Sequence, residues 1–252
     1  MNYFFDSDGV RLAGHLAEPP GSRTNHAPGL VICHGFPSGG GGAANSGKSF
    51  PELADRIATE MDWVVLTMAL RGCGQSEGNF SLDGWLDDIH AAVEHLRSLK
   101  GIAGVWLAGF GTGGALCICE AARNDSVRGV AAMAAPADFD DWATNPRRLL
   151  LHAQEVGAIR SADFPESFDR WSRQLKAHRS IACVEDLAPR PLLVVHGSDD
   201  DLVPVFDARV LSDAHASAEL RIIDGAGHQL RHDPRAIAVL LGWLDRQRRR
   251  LT

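Results

Sequence analysis

The chain has 252 residues, 45% of them hydrophobic and 23% charged, with a formal net charge of −7 at pH 7. That composition supplies one large core, and no stretch approaches the ~20 consecutive apolar residues that a membrane-crossing helix needs. The acidic charge is spread along the chain. The one marked basic run, Arg246 with Arg248 to Arg250, closes a terminal helix pattern and complements its dipole, which argues against nucleic-acid binding.

Met1 to Asp6 lacks a basic region followed by a long apolar one, so the expected location is the cytoplasm. Asn2 to Phe5 and Val10 to Ala17 flank Asp6-Ser7-Asp8-Gly9, which predicts an antiparallel hairpin. Pro19 to Pro28 reads as a loop. Gly29 to Cys33 is a short apolar strand ending in His34-Gly35-Phe36-Pro37-Ser38, and Gly39 to Gly42 prolongs that loop as a flexible or ligand-bound run. Ser49 to Glu60 is a helix with Pro51 suited to its first turn, and Trp63 to Met68 is the next strand. It runs into the glycine-punctuated loop Arg71-Gly72-Cys73-Gly74-Gln75-Ser76-Glu77-Gly78. Leu82 to Leu99 then places Leu86, Ile89, Val93 and Leu96 at helical spacing.

Val105-Trp106-Leu107-Ala108-Gly109-Phe110-Gly111-Thr112-Gly113-Gly114-Ala115-Leu116 organises the rest. An apolar run too short for a helix meets a glycine cluster and then a helical pattern, so a buried strand turns sharply into a helix. Such a turn is a nucleophile elbow, G-x-S-x-G, whose glycines allow strand and helix to approach closely. Gly109 and Gly113 match the two glycines. The serine position is Gly111.

Val127 to Met133 is another strand. Between Pro136 and Pro189 the alternation of strand and helix stops, and Trp142, Phe164, Phe168 and Trp171 lie among many charges in two or three amphipathic helices. We expect residues 138–184 to form a helical lid, with some of these aromatics facing a pocket as ligand-binding residues. Pro191 to Val195, Phe206 to Ala214, Glu219 to Ile223 and a last helix opened by Asp233-Pro234 resume the alternation. The expected fold is a single α/β domain, with a mostly parallel sheet, an antiparallel N-terminal hairpin and helices on both faces.

These motifs together resemble the α/β-hydrolase family, in its small esterase and acyl-hydrolase branch, over nearly the whole chain. His34-Gly35-Phe36 resembles the oxyanion loop after the third strand, and Arg71 to Gly78 resembles R-G-x-G-x-S-x-G. His196-Gly197-Ser198-Asp199-Asp200-Asp201-Leu202-Val203-Pro204 resembles H-G-x-x-D-x-x-V-P, which implies that Asp200 is the acid. Gly225-Ala226-Gly227-His228 resembles the turn carrying the family's histidine. The departure is the nucleophile.

The resemblance implies an incomplete acyl-transfer site. His228 would act as base, Asp200 would orient it, and the N–H groups of Phe36 and Thr112 would hold an oxyanion, beside a Gly111 with nothing to acylate. The expected ligand is a small acyl- or ester-like molecule, met by weak or water-based hydrolysis or, alternatively, by binding alone. Strand-end loops at one edge of a parallel sheet converge, so the same residues gather without the family argument. Asp199 and Asp201 remain alternatives to Asp200 on residue type alone. Thr112, Cys73, Ser76 and Cys117 are the other conceivable nucleophiles, each expected to lie out of reach of the base.

The five cysteines mostly lie in apolar runs, as reduced core thiols do, and Cys117-x-Cys119 has no neighbouring Cys/His pair, so no metal or other cofactor is expected. Gly42 to Ser49 spells the phosphate-loop pattern G-x-x-x-x-G-K-S, but it does not leave a strand directly, and Pro51 interferes with a helix begun at Gly47. Nucleotide binding is not expected.

Overall fold

The structure, a computed structural model, describes residues 3–21, 26–37 and 41–251. Ser38, Gly39 and Gly40 of the glycine run lie outside the described residues, as does Asn2 of the first strand.

The strands are β1 (Tyr3–Ser7), β2 (Val10–Ala17), β3 (Ala27–Cys33), β4 (Val64–Met68), β5 (Ile102–Phe110), β6 (Val127–Met133), β7 (Leu192–Gly197) and β8 (Glu219–Ile223). They form one eight-stranded sheet in the order β1-β2-β4-β3-β5-β6-β7-β8. The β1–β2 and β2–β4 pairs are antiparallel and the others parallel. At the hairpin tip Asp8 (φ 49°) and Gly9 (φ 82°) adopt the left-handed conformation that a two-residue turn needs to match the strand twist.

The α-helices are α1 (Phe50–Met61), α2 (Leu82–Ser98), α3 (Thr112–Arg123), α4 (Asp140–Thr144), α5 (Pro146–Glu155), α6 (Phe168–Ala177), α7 (Ser180–Leu187), α8 (Val205–His215) and α9 (Pro234–Arg249). The central strands are covered on both faces, which is why they read as unbroken apolar runs. In β3, Leu30 and Ile32 enter the core beneath α1 and α9, whereas Val31 and Cys33 enter the core beneath α2, α3, α7 and α8. Local signals start the helices: Ser81 caps α2 by accepting from the Gly84 N–H at 3.0 Å, and Asp233 caps α9 through the N–H groups of Arg235 and Ala236.

Four helices, not two or three, lie between β6 and β7. Asn145 splits α4 from α5 by capping the latter, accepting from the Arg148 N–H at 3.2 Å, and extended backbone at His178 and Arg179 separates α6 from α7. Within the 138–184 span, α7 packs on α3 and α8 in the helical layer of the sheet, with Val184 buried together with Leu187.

Candidate active site

The sharp turn from β5 into α3 is set by glycines. A Cβ on Gly109 would lie 2.4 Å from the Gly113 carbonyl oxygen, and one on Gly113 would lie 2.3 Å from that of His34, so strand, helix and the loop after β3 meet only without side chains. Between them Gly111 holds φ 53° and ψ −126°, fixed by its N–H donating to the Met133 carbonyl at 2.8 Å. A non-glycine residue in such a conformation costs about 1 to 3 kcal/mol.

The loops after β7 and β8 bring the other groups to this edge. Asp200 Oδ2 lies 2.9 Å from Nδ1 of His228, and its Oδ1 accepts from the N–H groups of Leu202 and Val203 at 3.0 and 2.9 Å. Asp199 instead accepts the Ser198 hydroxyl at 2.6 Å, and Asp201 is exposed. With Nδ1–H committed to the carboxylate, Nε2 of His228 presents its lone pair. It faces the turn: a carbon placed where a side chain would leave Gly111 stands 3.3 Å from Nε2.

A second histidine, to which the sequence motif assigned no role, supports the acid. His196 is fully buried, its Nε2 lying 2.9 Å from the Val203 carbonyl and 3.2 Å from Asp200 Oδ2. Burial pushes the Asp200 carboxyl up, but hydrogen bonds from His196, His228 and the Val203 and Leu202 N–H groups outweigh it and hold the carboxyl well below the usual range. Asp200 is therefore a fixed anion. The N–H groups of Phe36 and Thr112 have no acceptor among the described residues, and Thr112 opens α3, where the helix dipole adds to its attraction for an anion.

Phe36, Thr112 and His228 border a cavity of about 490 Å³. Its wall is aromatic: Phe36 and Trp142 have ring centroids 5.2 Å apart, and Trp142 stacks on Phe139 at 5.2 Å. Of the four aromatics expected there, Trp142 lines the cavity and Phe164, Phe168 and Trp171 do not. Trp171 is buried with its indole N–H donating to the Phe80 carbonyl at 3.2 Å, so it backs the wall instead of forming it. Phe168 lies under the Arg147 guanidinium, 4.8 Å from ring centroid to cation, and Phe164 packs at the edge of the core. The sequence reading missed Phe139, Leu149, His152 and Val156. The last three recur at i, i+3 and i+7, a helical stripe that was there to be read.

A family model described as "Alpha/beta hydrolase family" matches residues 30–240. The chain belongs to the alpha/beta hydrolase family. Among curated relatives it is 26% identical to the uncharacterized protein YfhR of Escherichia coli K12, over 80% of this chain and 63% of that one. It is 28% identical to 2-succinyl-6-hydroxy-2,4-cyclohexadiene-1-carboxylate synthase of Yersinia pestis, over 65% of this chain and 56% of the synthase. The match thus spans less than two thirds of the length of these relatives. Among solved structures, Est1E of Butyrivibrio proteoclasticus, with ferulic acid bound, superposes with a TM-score of 0.74 at 20% identity over 99% of this chain and 98% of that one. The meta-cleavage product hydrolase CumD of Pseudomonas fluorescens IP01 gives 0.69 at 18% identity, over 98% of both chains. At those identities the likeness is one of fold.

Within this family scaffold three of the four substitute nucleophiles, Ser76, Cys73 and Cys117, are held away from the site, while Thr112 borders the cavity. Ser76 donates its hydroxyl to the Ala69 carbonyl and accepts from the Ala13 N–H, pinning the Arg71 loop to β2. Cys73 is buried, and desolvation pushes its thiol up to about 12, while Cys117 is wholly buried beside Cys33. The phosphate-loop look-alike is a short turn before α1: Lys48 Nζ donates to its own neighbour Asn45 at 2.6 Å, and Pro51 lies in the first turn of α1.

His34 carries a pH signature. Its Nδ1 donates to the Gly35 carbonyl at 2.7 Å and its Nε2 accepts from the Leu70 N–H at 3.0 Å, so the ring is neutral. Burial lowers its pKa from 6.5 to about 4, against the opposing bond to Gly35. Below its ordinary value the unfolded chain takes up a proton that the native ring refuses. The stability this ring lends is therefore full above pH 6.5 and falls as pH drops toward about 4. The loss across that interval is roughly 3 kcal/mol. His34→Gln should lower stability at neutral pH but flatten this decline, read as urea midpoints at about pH 7 and about pH 4.5. An unchanged decline in the variant would assign the acid sensitivity to other groups.

Proposed function

We propose that this chain is a weak, water-using acyl hydrolase for small esters, thioesters or related acyl compounds. The observation that carries the reading is the His228 ring, backed by Asp200 at 2.9 Å and aimed across a side-chain-free Gly111. Nε2 would take a proton from a water whose oxygen attacks the acyl carbon. The oxyanion would rest on the N–H groups of Phe36 and Thr112, and the imidazolium, stabilised by Asp200, would return its proton to the leaving group. The helices α4 and α5, which carry Trp142 and Leu149, would act as the lid. The partner is a small acyl- or ester-like molecule, with no nucleic acid, membrane or cofactor involved, in the cytoplasm.

Loss of a triad serine costs on the order of 10⁶ in turnover, and the oxyanion hole with binding retains roughly 10³ to 10⁴ over water. Wild type should therefore hydrolyse p-nitrophenyl butyrate slowly, with no burst of acylation, and His228→Ala should remove that turnover. Gly111 itself favours a second reading, in which the aromatic cavity binds an acyl or aromatic ligand without chemistry. Equal rates in wild type and His228→Ala would select it.

A further inference from the structure

We propose that His228 also acts directly on a bound carbonyl compound, removing a proton from the carbon next to the carbonyl while the Phe36 and Thr112 N–H groups hold the enolate oxygen. The inference uses the pocket assigned under the hydrolase reading, but not its chemistry.

Gly111 leaves no side chain in front of the base. A Cβ added to it would lie 3.3 Å from Nε2 and 3.6 Å from Cε1 of His228, and 3.7 Å from the Gly35 Cα, so the edge of the ring stands over the glycine. Because Gly111 carries no side chain, a ligand carbon in van der Waals contact with its Cα can approach Nε2 from the cavity that Phe36, Thr112 and His228 border. Proton transfer requires that approach to reach roughly 3 to 3.5 Å. Attack by water requires a second molecule fitted between base and acyl carbon, whereas proton abstraction requires only the ligand.

The electronic requirements are met by the same groups. Nδ1–H is engaged by Asp200, so Nε2 is the free base of the ring. The C–H proton passes to Nε2, its electron pair moves into the carbon–carbon bond, and the carbonyl π pair moves onto oxygen. Asp200, held anionic, stabilises the imidazolium so formed. Two amide donors without other acceptors among the described residues then face an enolate in place of a tetrahedral oxyanion. Return of a proton from the imidazolium to the same carbon completes an exchange that consumes no co-reactant. The aromatic wall of Phe36, Phe139 and Trp142 suits an aryl ketone or aryl-acyl thioester.

The test uses S-ethyl 2-phenylethanethioate and 2-tetralone in deuterium oxide, followed by proton NMR, with thiol release recorded in the thioester samples. Wild type should replace the protons next to the carbonyl by deuterium on the order of 10² faster than buffer, the scale of general-base catalysis. His228→Gln should return exchange to the buffer rate. Gly111→Ser should slow exchange, because its side chain fills the space in front of Nε2 that the substrate carbon must cross, while raising thiol release. Thermal melts establish that each variant is folded. Exchange at the buffer rate with both probes, or exchange that survives His228→Gln, overturns the proposal. Thiol release reports hydrolysis separately, so the two readings fail independently.

Discussion

Gly111→Ser should turn a slow protein into an esterase at a modest cost in stability. The backbone at 111, with φ 53° and ψ −126°, is the strained turn in which a serine would be presented, and the new Cβ would lie 3.3 Å from Nε2 of His228. That contact is tight, so the ring must yield by a few tenths of an ångström; its side chain, 21% exposed, has room to do so. The strain should lower stability by about 1 to 3 kcal/mol. In exchange a hydroxyl stands beside a base that is already oriented, and the Phe36 and Thr112 N–H groups proposed to hold the oxyanion belong to the backbone and are untouched by the substitution. Turnover of short-chain p-nitrophenyl esters should rise on the order of 10² to 10⁴, short of the full serine contribution because the alignment has not been selected for it. A burst of acylation should appear, and His228→Ala added to Gly111→Ser should remove the gain. A folded Gly111→Ser protein no more active than wild type across an ester panel would favour the binding reading.

Asp200→Asn should be the most damaging near-isosteric change. Made in the Gly111→Ser background, it replaces an acceptor opposite Nδ1 of His228 by an amide whose N–H₂ can donate there. The ring then holds its proton on Nε2, where a base is needed, and turnover should fall on the order of 10⁴. In wild type the same change should abolish the slow His228-dependent hydrolysis and the deuterium exchange. The fold should survive, because an amide oxygen can still accept from the Leu202 and Val203 N–H groups. Acid unfolding gives a second readout. The Asp200 carboxyl is held below its ordinary range in the native state, so its stabilisation is present above about pH 3.9 and is lost as pH falls toward the native pKa. Asp200→Asn should remove that portion of the acid transition and leave the His34 portion, which lies at higher pH, in place. Retention of activity in Asp200→Asn would move the orienting role to another group.

The sequence by itself determined the strands and the turn that carry the site, because those signals are local. A buried parallel strand must be an apolar run, and the β5–α3 turn must have glycines where Gly113 and Gly109 would otherwise strike carbonyl oxygens. Gly111 could be placed at the tip of that turn from its spacing to Gly109 and Gly113, and it holds φ 53° there. The resemblance to H-G-x-x-D-x-x-V-P pointed to Asp200 among its acidic neighbours, and Asp200 lies against the His228 ring. Only the tertiary structure decided which residues line the cavity. Trp142 and Trp171 are indistinguishable as aromatics in an insertion, yet one stacks on Phe139 at the cavity wall and the other reaches the carbonyl of Phe80, 91 residues away. Packing also drew α7 into the layer with α3 and α8, and set His196 against Asp200. Helix periodicity identifies an apolar face but not the surface that receives it. That choice depends on partners distant in the chain, and it is made only when the layers close on one another.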